Sequence, residues 1–125
     1  MSLGKLAPHA RWKSFCCALR GIRLILRAQP NAWIMASATP CVIAAGIVMR
    51  LSATEWCLIA IAIILVFLAE TFNTAIESLV DLVSSEHHPL AGQAKDMAAG
   101  AVLLAALLAF VIGLGIFGPK TIALF

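Results

Sequence analysis

Residues 56–81 read WCLIAIAIILVFLAETFNTAIESLVD. The first half, Trp56 to Ala69, carries no charge, and then Glu70, Asn73, Glu77 and Asp81 follow three or four residues apart. On a helix, Asn73 lies about 60° around the axis from Glu70, and Glu77 and Asp81 lie about 20° to either side of it. Thr74 shares that arc, whereas Phe72, Ala75, Ile76, Leu79 and Val80 face elsewhere. The spacing therefore predicts a long helix, apolar at one end, with three carboxylates and an amide in one stripe at the other. A carboxylate at the centre of a bilayer costs about 2.5–3.5 kcal/mol or more, so an acidic stripe next to a membrane span marks a functional site. The alternative is a helix whose lower part has left the bilayer and carries a solvated acidic face. Glu70 directly abuts the apolar run, which favours the first reading.

The remaining composition agrees with a membrane protein. The chain has 125 residues, 62% hydrophobic and 12% charged, with a mean hydropathy of +1.01. Soluble domains average about 45–50% apolar and about 25% charged residues. Little of this chain is expected outside the bilayer. Its net charge of +3 is unevenly placed. Lys5, Arg11, Lys13, Arg20, Arg23 and Arg27 precede residue 32, with no acid among them. All six acids lie later, against Arg50, Lys95 and Lys120. Cys16, Cys17, Cys41 and Cys57 lack the spacing of a zinc site and read as small apolar residues.

Residues 1–31 are expected to form a basic tail and an amphipathic surface helix. Trp12, Phe15, Leu19, Ile22 and Leu26 recur at helical spacing in HARWKSFCCALRGIRLILRA, residues 9–28. Basic residues flank that face, a pattern suited to an anionic membrane surface. Packing on the protein's own core is the other reading, and the two are compatible; nucleic-acid binding is not expected. The first long apolar run begins only at Ala32, so no cleaved leader is predicted.

Residues 32–125 are expected to hold three spans, about 32–50, 54–83 and 90–118. Pro40 lies inside the first and is expected to kink it or be covered by neighbouring helices, and Gly118-Pro119 is expected to stop the third. Gly100, Gly113 and Gly115 offer close helix approach. Six bases precede the first span and one, Arg50, follows it. The positive-inside rule then places the N-terminus and the Ser84–Pro89 loop in the cytoplasm. On that plan the acidic stripe, Glu86-His87-His88, Lys95-Asp96 and the basic arm all meet at one membrane face.

Hard carboxylate oxygens suit Mg²⁺, which is held by one or two carboxylates plus substrate phosphates. Lys95 can balance a phosphate. Glu70, partly desolvated at the bilayer boundary, is placed to take a proton from a lipid hydroxyl. Each residue also has a plainer reading: Lys95-Asp96 as helix-start charges, His87-His88 as loop residues, Asp81 as the partner of an arginine on the arm. No Gly-Lys-Ser/Thr phosphate loop is present.

At Glu70-x-x-Asn73-Thr-Ala-Ile-Glu77-x-x-Val80-Asp81, then Glu86-His87-His88-Pro89-Leu90, Ala94-Lys95-Asp96-Met97 and Ala98-Ala-Gly-Ala-Val102, the chain resembles the small prokaryotic diacylglycerol kinases, a family that includes undecaprenol kinases. The resemblance implies a homotrimer of three spans and a surface helix per subunit, in the bacterial cytoplasmic (inner) membrane. It implies transfer of the γ-phosphate of ATP, with Mg²⁺, to a lipid hydroxyl, diacylglycerol or undecaprenol. By position, Glu70 matches the general base at the lipid hydroxyl and Glu77 matches a metal-holding carboxylate. Glu77, Glu86, His87, His88, Lys95 and Asp96 match nucleotide contacts, and Asn73 and Asp81 line the site. Gln29 stands where the family commonly carries a second metal-holding acid, and its amide offers a carbonyl oxygen without charge. His88-Pro89-Leu90-Ala91 looks more like the undecaprenol branch, and Gly92 and Met97 more like the diacylglycerol branch. A small proton-coupled exporter is the alternative from another class. It usually needs four spans and an isolated acid, whereas three spans and a shared polar face are read here. A non-catalytic membrane subunit is the third reading.

Overall fold

The computed structural model describes residues 8–28, 30–84 and 88–124. Four helices follow one another: α1 (Pro8–Ala28), α2 (Pro30–Val48), α3 (Ala53–Val83) and α4 (Pro89–Ile122). No strand occurs among the described residues. The helices α2, α3 and α4 are each long and apolar enough to cross a membrane. With 31 and 34 residues, α3 and α4 run roughly 46 and 51 Å at the standard rise. A hydrocarbon core is about 30 Å thick, so each helix exceeds it and must project or tilt. They pack against each other along much of their length, while α2 leans on α3, and α1 touches α2 and α3.

The α2–α3 hairpin is closed by local rules. Leu51 N–H reaches Gly46 O at 3.0 Å and Arg50 N–H reaches Ile47 O at 3.2 Å, the two bonds of a Schellman ending. Arg50 takes the left-handed position with φ 53°, where glycine is usual. Ser52 then caps α3. Its hydroxyl accepts from Glu55 N–H at 3.3 Å, and the Glu55 carboxylate accepts from Ser52 N–H at 2.7 Å. The same carboxylate meets Lys120 Nζ at 3.2 Å, which joins the start of α3 to the end of α4. Beside this junction Leu51, Ile59 and Ile116 form a buried cluster, with Trp56 and Phe117 packed against it. Gly46 is required there: a Cβ would come within 2.7 Å of the Trp56 ring.

Two expectations change. Pro119 does not stop α4, which continues to Ile122. A proline lacks the N–H for the turn before it and its ring crowds that turn, but Pro119 O still accepts from Ala123 N–H at 3.0 Å, so the turn after it closes. Pro40 lies inside α2, where the first span was expected to hold it, and the helix runs through it. A Cβ at Gly100, Gly113 or Gly115 would meet nothing within 4 Å, and among the described glycines the close approach within this chain lies at Gly46.

The apolar side of α1 is left largely uncovered by the chain itself. Trp12, Phe15, Leu19 and Ile22 are exposed, and Trp12 and Phe15 stack with centroids 5.8 Å apart. Ile25 is buried, and Ile22, Ile25 and Leu26 line a groove shared with α2 and α3. The helix thus packs on the protein's own body at Ile25 and leaves an apolar face of the kind that suits a membrane surface.

Candidate functional site

The stripe of α3 holds as one column that opens outward from the apolar half of the helix. Glu70 is only 3% exposed and lies at its inner end. Its carboxylate makes no hydrogen bond or ion pair with any described residue. The Thr74 hydroxyl, on the same arc, bonds back to the Glu70 carbonyl at 3.0 Å and so serves the backbone.

One turn on, Asn73 is buried, and its Nδ2 donates to Glu77 Oε1 at 3.3 Å. An ionised carboxylate only accepts, so the amide nitrogen must face it and Asn73 Oδ1 must point away. That oxygen is buried with no hydrogen-bond partner among the described residues. Among the described residues, Asn73 is also the one polar side chain lining an apolar groove of about 500 Å³ between α3 and α4, walled by Leu68, Phe72, Ile76, Ala98 and Ala105.

At the outer end, Asp81 accepts from Lys95 Nζ at 3.0 Å across the α3–α4 junction. The arginine partner weighed for Asp81 is therefore replaced by Lys95. The signal was in the sequence: opposite charges on either side of a short loop between antiparallel helices. Asp96 is exposed on the neighbouring position of α4.

His88 begins α4. Its Nδ1 accepts from Leu90 N–H at 3.2 Å, and Pro89 takes the first helical position. Capping fixes the ring and leaves Nε2 for other contacts. Gln29, Glu86 and His87 lie outside the described residues. Glu70, Asn73, Glu77, Asp81 and Lys95 are thus assembled along one face, with His88 and Asp96 at the adjoining start of α4.

A family model described as prokaryotic diacylglycerol kinase matches residues 16–117. This chain belongs to that family. It is 46% identical over 109 residues to the undecaprenol kinase of Bacillus subtilis (strain 168), covering 87% of this chain and 89% of the relative. It is 39% identical over 112 residues to a diacylglycerol kinase of Synechocystis sp., covering 89% of this chain and 64% of that protein. The diacylglycerol kinase of Escherichia coli (strain K12) is 46% identical over 50 residues, 40% of this chain and 41% of that one. Membership makes the chain a membrane lipid kinase.

Proposed function

We propose that this protein transfers the γ-phosphate of ATP to the hydroxyl of a membrane lipid at the cytoplasmic face of the bacterial inner membrane. The observation that carries this reading is the α3 column, a buried carboxylate at Glu70 leading outward to Glu77 and the Asp81–Lys95 pair. It joins an apolar depth, where a lipid hydroxyl lies, to a charged rim, where a nucleotide binds.

Glu70 acts as the general base. It takes the hydroxyl proton as the lipid oxygen bonds to the γ-phosphorus. The bond from that phosphorus to the β–γ bridging oxygen breaks, and ADP leaves. The groove beside Asn73 suits a hydrocarbon chain whose polar end sits near Glu70. Lys95, His88 and Asp96 face the nucleotide; Glu86 and His87, outside the described residues, are assigned to it by the sequence pattern alone.

Glu77 fits a Mg²⁺ carried on the phosphates. It offers a hard oxygen, and Asn73 orients it as an outer-shell partner would. No group of three His, Cys, Asp or Glu converges among the described residues, so phosphate oxygens and water would supply the remaining ligands. Gln29 would add a neutral carbonyl. Bound there, the ion would neutralise charge on the phosphates and so ease attack at phosphorus.

The subunits assemble as a homotrimer with the N-terminus in the cytoplasm. The similarity to an undecaprenol kinase over nearly the whole chain favours a polyprenol acceptor. The test offers diacylglycerol and undecaprenol side by side to purified protein with labelled MgATP. Magnesium-dependent label in undecaprenol is expected. Label in diacylglycerol alone would reverse the acceptor, and label in neither lipid would contradict the reaction.

A further inference from the structure

The Asp81–Lys95 pair sits where its own helix does not favour it. Asp81 lies in the last turn of α3, at the negative end of the helix dipole, where an anion is disfavoured. It also stands four residues after Glu77, and like charges at that spacing repel. The Glu77 carboxylate is engaged by Asn73, so the charge facing Asp81 is Lys95 from α4. That pair is open to water: the side chains of Lys95 and Asp81 are 40% and 68% exposed. An ion pair so exposed adds little to folding. A carboxylate placed against both dipole and neighbour, for little stability, is the kind of local conflict that marks function.

Lysine is a compact charge on a flexible stem and can change partners without moving the backbone. A nucleotide phosphate carries more charge than one carboxylate and forms stronger charge-assisted bonds. We infer that Asp81 is the resting counter-ion of Lys95 and a positioning residue for the kinase reaction: Lys95 leaves Asp81 for the nucleotide phosphates on binding and returns to it when ADP departs. This rests on the proposed placement of Lys95 at the nucleotide. Asp81 thereby sets nucleotide affinity downward, through Lys95 and without touching the reacting atoms.

The test is equilibrium binding of a fluorescent ADP analogue with Mg²⁺, which needs no turnover. It compares detergent-purified wild type, Asp81→Asn, Lys95→Met and the double variant. Asp81→Asn is expected to tighten binding about two- to fivefold, the range of an exposed ion pair. The KM for MgATP should fall in parallel. Asp81→Glu, which keeps the charge, should bind as wild type does, and thermal unfolding should show all variants folded. Lys95→Met should weaken binding, and in that background Asp81→Asn should change nothing. Unchanged or weaker binding by Asp81→Asn, with Lys95→Met weakened, overturns this inference alone. Equal tightening in both backgrounds overturns it too, because Asp81 would then repel phosphate directly. Wild-type binding by Lys95→Met would locate the failure in the proposed nucleotide site itself.

Discussion

Asn73 Nδ2 donates to Glu77 Oε1 at 3.3 Å across one turn of α3, and Asn73 Oδ1 is buried behind it without a partner among the described residues. The amide thus stands between the buried Glu70 and the half-buried Glu77, fixing the orientation of the outer carboxylate.

Removing that amide should loosen Glu77. Outer-shell partners of metal ligands typically alter metal affinity or activity 10- to 100-fold. Asn73→Ala is therefore expected to raise the Mg²⁺ concentration for half-maximal activity by about tenfold, with the protein still folded. A Mg²⁺ titration unchanged from wild type would detach Asn73 from the metal.

The far end of the bundle should behave independently. Ser52 caps α3 and shares Glu55 with Lys120, well along the helix from the site. Ser52→Ala is expected to cost about 1 kcal/mol of stability. Thermal unfolding in detergent should show the loss, and turnover per folded protein should match wild type. Reduced turnover at full stability would couple the two ends.

The hairpin contact at Gly46 is sterically tight. Gly46→Ala places a methyl against the Trp56 ring, and such overpacking typically costs about 1–3 kcal/mol. Chemical denaturation should report the loss. Trp56→Leu in the same chain should relieve it, whereas an additive double variant would place the strain elsewhere.

The sequence made the long helices and the α3 column legible for one reason. An uncharged run ending in acids at helical spacing leaves few solutions in a membrane. The amphipathic α1 was legible by the same periodicity, down to the exposed Trp12 and Phe15. Pairings between helices were harder. Asp81 had several cations within reach in principle, and only the packing of α3 on α4 selects Lys95. The continuation of α4 past Pro119 was hidden because a proline removes a single donor, and the following turn still closes. At the opposite end of α3, the Ser52-x-x-Glu55 capping-box pattern agrees with a helix that starts at Ala53, but the Lys120 partner of Glu55 appears only once α4 packs on α3.

The most direct test of the central claim is turnover by Glu70→Gln. The substitution keeps the shape of the side chain at its buried position and removes its ability to take a proton. Phosphoryl transfer from labelled MgATP to lipid would be measured alongside size-exclusion behaviour and binding of the fluorescent ADP analogue. The account predicts intact assembly, near-normal nucleotide binding and a loss of about 10²- to 10⁴-fold in kcat, the usual range for a general base. Near-normal kcat would contradict the assignment of Glu70 as base and, with it, the reading of the α3 column as the catalytic face.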